Sequence, residues 1–514
     1  MKSKTGIIAV NFSAILFTLL FYKQATGVNL LIFEILYFCW LAVSRQVDFR
    51  NRNMLVFGSL LLLTALFTVI THSVFSYVIH YLALLVFVGI LIYPEAKSLI
   101  SITGISFLNI GGAQKKFLEH LSEYGIKGSR IASLFKRGMI FLFPVIIILA
   151  FIIIYRNSNP WFDGVVTNIL KHIGNWINLI FKDFDFMIIV TFLIGLLISN
   201  ILLLRWNNRK IIEKDSSAAD TLERRKSGKQ HHFKPNGLKN EYRAGVFLLS
   251  ALNILILVMN VMDIYWVWFH FTWNGQYLKQ FVHEGTYLLI LSILISIFLI
   301  LYYFRKNINF YSKNSLLKIL SYLWLAQNTI LALSVGIRNF WYIYYYALAY
   351  RRIGVIIFLV LTLFGLYSVF MKVLRRKSSF YLFRVNALAI YLVLVISSAI
   401  NWDTLIARYN FSHADRSFLH LDYVASLSDE ALPYLDHPLA ELKRIDTVQK
   451  KNFPNEKVIY MKPDTYFSII ENRKVFFKKK WESKGIMSWN LPEYLAYKNM
   501  FGKPENSLGM LFLP

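Results

Sequence analysis

Charge is scarce in this sequence. Only 17% of its 514 residues are charged and 56% are hydrophobic, whereas soluble domains carry about 25% charge. Mean hydropathy is +0.48. Cysteine is nearly missing: Cys39 stands alone inside an apolar run, so disulfides within the chain and cysteine-based metal sites are excluded. No Gly-x4-Gly-Lys-Ser/Thr run occurs, which removes ATP use through a P-loop. No Gly-x-Ser-x-Gly elbow occurs either. "HEGTY" begins like a zinc-protease helix, but Tyr287 stands where the second histidine would be, so no metal site is expected. No cofactor is expected. No small-residue cleavage site follows "MKSKTGIIAVNFSAILFTLLFY", and that stretch reads as an uncleaved first helix. No internal repeat relates the two halves, which weighs against a carrier built from repeated helix bundles.

What the sequence has instead is apolar runs approaching 20 residues, long enough to cross a hydrocarbon core of about 30 Å. Spans are predicted at 6–22, 26–43, 54–71, 74–93, 138–155, 186–204, 244–269, 286–304, 315–336, 353–371 and 379–400. "SLISITGISFLNIGGA" (98–113) is read as an interfacial or re-entrant segment. The fold class is an all-α polytopic membrane protein of about eleven transmembrane helices. A small, mainly helical extracytoplasmic region follows them.

Basic residues outnumber acidic ones, 56 to 29, giving a formal net charge of +27. They lie mostly in short loops beside apolar runs, so nucleic-acid binding is not indicated. The expected partner is the bilayer, with anionic lipid at the basic loops. With the amino end inside, inside segments hold 30 Lys and Arg and outside loops 8, which favours that orientation. An odd number of spans then puts the carboxyl tail outside.

Four regions follow: an amino-terminal membrane region (1–204), a basic cytoplasmic linker (205–243), a carboxyl-terminal membrane region (244–401) and an extracytoplasmic tail (402–514). The linker is polar and reads as mobile, and its His231-His232 pair has no further metal ligand nearby. The tail carries 16 Lys/Arg and 14 Asp/Glu. "SLSDEALPYLDHPLAELKRI" and "DTYFSIIENRKVFFKKKWE" read as helices, the first capped by Ser428, and "KVIYMK" as a short strand. A lipid-linked sugar transferase would place acids in early outside loops. Here only the third such loop has them, as Asp163, Asp183 and Asp185.

"DIYWVWFHFTWNGQYLKQFVHEGTYLL" puts ionisable groups between two apolar runs. At 1.5 Å per residue Asp263 lies about 28 Å along its span, near the outer boundary. Trp266, Trp268 and Trp273 form an interfacial belt there, and His283 and Glu284 open the next span at the same level. At 100° per residue Asn253, Asn260, Asp263 and His270 share one helix face. Gln327, Ser334 and Arg338 form a matching row. That second helix continues into "RNFWYIYYYALAYRRIG", bringing Tyr346, Tyr350, Arg351 and Arg352. These groups either glue helices together or line a polar pocket open to the outside. Arg384 reads as a snorkelling residue.

"EYRAGVFLLSALNILILVMNVMDIYWVW", "VHEGTYLLILSILIS", "YALAYRRIGVIIFLVLTLFGL" and "NWDTLIARYNF", followed by "LHLDYVASLSDEALPYL", resemble the bacterial membrane proteins carrying domain of unknown function 4173, over roughly 241–440. Tyr346, Tyr350 and Arg352 match that family, which often has Gly and Thr at the positions of Ala347 and Ala349. The resemblance implies a bacterial cytoplasmic membrane and supplies no activity. The expectation is an integral membrane protein of the bacterial envelope, non-enzymatic, acting in sensing, assembly or transport. The alternative is an envelope enzyme acting on a lipid-linked or phosphate-bearing substrate at the outer face. Asp263 or Glu284 would be its base and the arginines would hold phosphate.

Overall fold

The computed structural model describes residues 3–45, 48, 50–123, 144, 148, 151–180, 185–224, 235–271, 275–305, 307–454 and 461–502. Among these the chain is helical throughout, with no strand. Eight helices are long and apolar enough to cross a membrane, and Thr5–Phe21 and Val28–Val43 are shorter apolar helices. This is an all-α polytopic membrane protein. Ten of the predicted spans coincide with helices. The remaining one, 138–155, lies largely outside the described residues, as do "KVIYMK" (mostly) and His231-His232.

The first half comprises α1 (Ser3–Phe21), α2 (Val28–Val43), α3 (Arg52–Thr71), α4 (Val74–Ile92), α5 (Leu99–Glu123), α6 (Pro160–Ile180) and α7 (Phe186–Leu203). The local causes are visible at the caps. Asn51, Ser73 and Asp185 accept hydrogen bonds from the backbone N–H groups that open α3, α4 and α7, satisfying donors that a helix start leaves orphaned. Small residues permit close approach: a Cβ on Gly89 would lie 2.5 Å from Ile102. Segment 98–113 therefore belongs to an unbroken helix, α5, and is not a broken re-entrant hairpin. Its start lies beside Asp215, which accepts from Lys97 N at 2.7 Å. Its far half lies beside the end of α7, where Lys116 Nζ donates to the Arg205 carbonyl at 3.0 Å. Both halves stay at the end of the bundle where α1 begins, termed the first face.

The predicted linker is two different things. Residues 205–224 are docked on the first face around the short helix α8 (Arg209–Ser216). Asp215 is buried, Asp220 pairs with Arg384 at 2.5 Å, and Thr221 bridges Lys377. Arg384 is thus an ion-pair partner as well as an interfacial residue. From Pro235 onward the chain is already helical, so the next helix starts before residue 244.

The second half holds α9 (Pro235–Asp263), α10 (Gly275–Tyr303), α11 (Ser315–Tyr346), α12 (Tyr350–Leu374) and α13 (Ser379–Ser398). Helix α13 completes the core of the first half, where Tyr391 and Val395 join Phe57, Leu61 and Phe87. Residues 402–454 and 461–502 form a helical unit at the opposite, second face. Its helices are α14 (Trp402–Ser412), α15 (Leu421–Ala425), α16 (Leu432–Leu435), α17 (Leu439–Asn452), α18 (Pro463–Glu482) and α19 (Leu491–Phe501). The stretch read as one helix from Ser428 is broken into a turn at Asp429–Ala431, α16 and α17. Pro438 stands at the start of α17, where its missing N–H costs nothing. Ile353 of α12 lies inside this unit's core with Ile406, Leu432, Tyr466 and Phe477. The unit is also pinned to the α1–α2 turn, where Val28 N donates to the Trp489 carbonyl at 2.9 Å.

Ser217 at the first face and Ser483 at the second are both exposed. Single cysteines at these positions in a Cys39→Ser background are expected to divide. In intact cells an impermeant maleimide labels one and spares the other, and labelling of both contradicts the arrangement.

Candidate functional site

The polar rows on α9 and α11 close on each other. Asn253 Nδ2 donates to the Leu320 carbonyl at 3.0 Å, and Gln327 Nε2 donates to Asn253 Oδ1 at 2.8 Å. Asn260 Nδ2 donates to the Gln327 carbonyl at 3.1 Å. Ser334 Oγ donates to Asp263 Oδ2 at 2.7 Å, and Arg338 pairs with Asp263 through a charge-assisted hydrogen bond. Asp263 and Arg338 are 4% and 3% exposed, so this is a buried pair and not a pocket wall. Helix α10 presses on it: a Cβ on Gly285 would meet Arg338 Nη1 at 3.3 Å.

His270 leaves the row. After Asp263 the chain makes wider, π-type turns over Ile264–Phe269, and such turns rotate each residue by less than the α-helical step. The 100° count therefore fails beyond Asp263. His270 is exposed and stacks on Tyr265 at 4.3 Å. Trp266 faces outward, but Trp268 turns in and donates to Ser334 Oγ at 3.3 Å. His283 and Glu284 lie on α10 with side chains outside the described residues, and Trp273 lies outside them altogether.

The other predicted residues separate. Arg351 is exposed. Arg352 is buried, its guanidinium 4.3 Å from the Tyr342 ring and donating to the carbonyls of Tyr346 and Ala347. Tyr346 is buried against Tyr342 and Phe418. This knot holds Ala347 at φ 64°, ψ −169°, a region that only glycine enters readily. Tyr350 points elsewhere, its hydroxyl donating to Asp403 Oδ1 at 2.6 Å.

Tyr350 leads to a cleft of about 650 Å³ at the seam between the bundle and the helical unit. Its wall on the bundle side is the α3–α4 turn, where His72 takes a left-handed φ of 46° and lies 2.7 Å from the Tyr77 hydroxyl. Burial holds the His72 imidazole down to about 4, so it is neutral near pH 7. On the other side most acids are engaged. Asp403 accepts from Ser428 N at 3.1 Å as well as from Tyr350. Asp429 pairs with Arg473 at 2.7 Å, and Arg473 also donates to the Ala425 and Leu427 carbonyls. Burial would raise Glu493, yet Lys484 and Asn490 hold it below the usual carboxylate range. Lys480 stands 3.4 Å from it.

Glu430 differs. It accepts from Ser428 Oγ at 2.5 Å and makes no ion pair among the described residues. Burial, with Glu493 and Asp403 nearby, pushes its carboxyl up to about 7. Sequence reading reached only Tyr350 of this cleft. The rest comes from separate segments, 72–77 on one side and parts of 402–493 on the other, and no spacing rule links them. It also missed a buried pair in the first half, Glu34 on α2 and His80 on α4, whose Oε1 and Nε2 lie 3.6 Å apart. No group of three or more His, Cys, Asp or Glu able to hold a metal occurs among the described residues.

The profile of domain of unknown function 4153 (DUF4153) matches residues 35–437. The chain belongs to that family. This corrects the resemblance to domain 4173 drawn from residues 241–440. The quoted motifs are mostly aromatic and aliphatic, and any polytopic chain can share such strings. The DUF4153 match instead runs from α2 across both membrane halves to the turn after α16. No curated protein and no solved structure matches the chain. The acids of the third predicted outside loop are also accounted for in part. Asp163 pairs with Arg156 and Asp185 with Lys23, each at 2.6 Å, while Asp183 lies outside the described residues.

Two expectations follow. Asp263→Asn and Arg338→Gln each strand a buried partner and cost about 3–5 kcal/mol. The double variant is milder than the sum by about 1–3 kcal/mol. Thermal unfolding of the four proteins in detergent measures this, and additive losses exclude direct pairing. Separately, Ala347→Gly relieves a strained backbone and raises stability by about 1 kcal/mol. A lower melting temperature in that variant contradicts the strain.

Proposed function

We propose that this integral membrane protein is a non-enzymatic component of the bacterial cytoplasmic membrane that senses, and that its working part is the seam cleft. The amino terminus and the 205–224 strap face the cytoplasm and the 402–502 unit faces outward. The excess of Lys and Arg in first-face loops supports this, and the cysteine at 483 is then the one that labels. The ligand class is a small cation. One observation carries the reading: in a cleft whose other acids are engaged, the half-buried Glu430 has no cationic partner among the described residues. Cations bind where a carboxylate would otherwise be desolvated alone. Trp402 is also in the lining, and aromatic rings attract cations.

The alternative is an envelope enzyme on a lipid-linked or phosphate-bearing substrate. It draws on the same carboxyl, since an acid titrating near neutrality suits general acid–base work. Arg473 is already committed to Asp429 and two carbonyls, which favours the binding reading.

Glu430 and His72 give the test a sign. The Glu430 pKa is raised in the fold from 4.5 to about 7. The folded state thus binds the extra proton, and stability falls as pH rises through that window. His72 is lowered from 6.5 to about 4, so its contribution is lost as pH falls below 6.5. The two oppose each other below 6.5, and Glu430 acts alone above it. The melting temperature of the full chain in detergent is expected to drop between about pH 6.5 and about pH 8, and Glu430→Gln flattens that drop. Choline, spermidine or Mg²⁺ is expected to raise the melting temperature, more at the higher pH, and the gain disappears in Glu430→Gln. Equal gains in both proteins, or none with any cation, overturn the proposal.

A further inference from the structure

The buried pair in the first half has a proton to account for. Glu34 and His80 are 1% and 0% exposed, with Oε1 and Nε2 3.6 Å apart. Thr64 on α3 fixes the ring's other nitrogen. Its hydroxyl proton goes to the Leu61 carbonyl at 2.8 Å, since a carbonyl can only accept. Across the 3.3 Å contact with His80 Nδ1 the same hydroxyl therefore accepts, and Nδ1 carries the hydrogen. A neutral imidazole then turns a lone pair at Nε2 toward the carboxyl. An ionised carboxyl would set its charge against that lone pair, and Oε2 has no hydrogen-bond partner among the described residues. A buried carboxylate without hydrogen bonds is strongly disfavoured. An ion pair inside hydrocarbon needs closer geometry than this, with its remaining lone pairs satisfied. One more proton, on the carboxyl, removes both conflicts.

The surroundings are uneven. Glu34 is six residues into α2 and His80 six into α4, so both lie about 9 Å below the second face. Toward that face the chain places buried hydroxyls. Thr68 and Thr71 continue the Thr64 side of α3, and Ser76 stands one turn before His80 on α4. The Thr68 and Ser76 hydroxyls donate within their own helices, so they bind no neighbouring helix. Thr71 adjoins His72, in the wall of the seam cleft. Toward the first face the same helices bury Leu61, Ala83, Val86 and Phe87. The other titratable side chains on the helices around the pair are Tyr37 on α2, Tyr77 and Tyr81 on α4, and Tyr391 on α13. Between Thr5 and Phe21 α1 has no ionisable residue, and α5 has none between Leu99 and Gln114. Arg205 acts on Tyr37, one turn nearer the first face, and Glu493, Lys484 and Lys480 act on His72 at the cleft. We infer that Glu34 and His80 are an intramembrane proton-binding site: the carboxyl holds one proton against Nε2 and exchanges it with the second face past Thr68 and Thr71. On release the proton leaves toward the cleft, the electron pair of the O–H bond stays on Glu34, and His80 keeps its hydrogen on Nδ1. Ionisable groups inside spans mark proton and ion paths. The site does not use Glu430, and either reading can fail without the other.

The test uses the full-length protein in detergent. Glu34→Gln is expected to melt with the native chain, because an amide donates to Nε2 as the acid does. An ion pair would instead leave a buried imidazolium without its partner and lower the melting temperature sharply. That outcome overturns the inference, and so does failure of this variant to fold. Infrared spectra in mildly alkaline buffer, where Glu430 has released its proton, are expected to show a carboxylic-acid carbonyl band that Glu34→Gln lacks. Absence of that band also overturns the site. In deuterium oxide the band shifts as the proton exchanges. Thr68→Val, which keeps the side chain's shape and removes the hydroxyl, slows that shift severalfold. A band that never shifts, or one that shifts as fast in Thr68→Val, overturns the route from the second face.

Discussion

A polar side chain inside hydrocarbon finds no water, so it must find another part of the protein. That constraint organises this bundle. The row Asn253, Asn260, Asp263 on α9 has a partner at each step on α11, ending in the Asp263–Arg338 pair. Parallel helices could slide along each other if only leucines met. A slide of one turn here would strand an amide, a carboxylate and a guanidinium at once. The row therefore fixes the register of α9 against α11. Through Gly285, which admits Arg338 without a clash, it fixes α10 as well. Buried pairs of this kind add little net stability compared with apolar packing, but breaking one is costly. Their use here is specificity of register.

The same logic locates the seam. Helix α12 begins in the core of the carboxyl-terminal unit, through Ile353, and ends in the core of the second half, through Val369 and Val373. Helix α13 then serves the core of the first half. One hairpin thus belongs to all three cores, and the unit at the second face cannot lift away without unpacking α12. Its polar clamps sit at that junction: Asn410 exchanges hydrogen bonds with the Leu348 N–H and carbonyl, and Phe418 N donates to the Tyr345 carbonyl. The strained Ala347 lies between these clamps and Arg352, where a distortion is tolerated because everything around it is fixed.

How much of this was legible in the sequence differs by scale. Apolar length and period gave the helices, because burial in a bilayer leaves a long uniform signature. The α9 and α11 rows were visible because a straight helix converts spacing into facing. The facing rule stopped at Ile264, where the wider turns begin, and His270 was lost with it. Residues 205–224 misled for a different reason. Polar composition marks solvent exposure only when nothing docks the segment, and Asp215 and Asp220 are held by Lys97 N and Arg384. The seam cleft was illegible because His72, Asp403, Glu430 and Glu493 meet only through tertiary packing. The family resemblance failed because aromatic-rich helix strings are shared widely.

Two ways of handling charge coexist in this molecule. Within the spans, Asp263 and Arg338 form a buried ion pair. In the seam cleft, a half-buried carboxyl, Glu430, makes no ion pair among the described residues. On the proposed reading a small cation supplies that partner. The cleft bears on the α3–α4 turn and the start of α12, and α13 packs against α3, α4 and α5 from the α12 hairpin. A cation bound there would act on the end of α12 that opens the carboxyl-terminal unit, while the other end of that helix stays packed in the core of the second half.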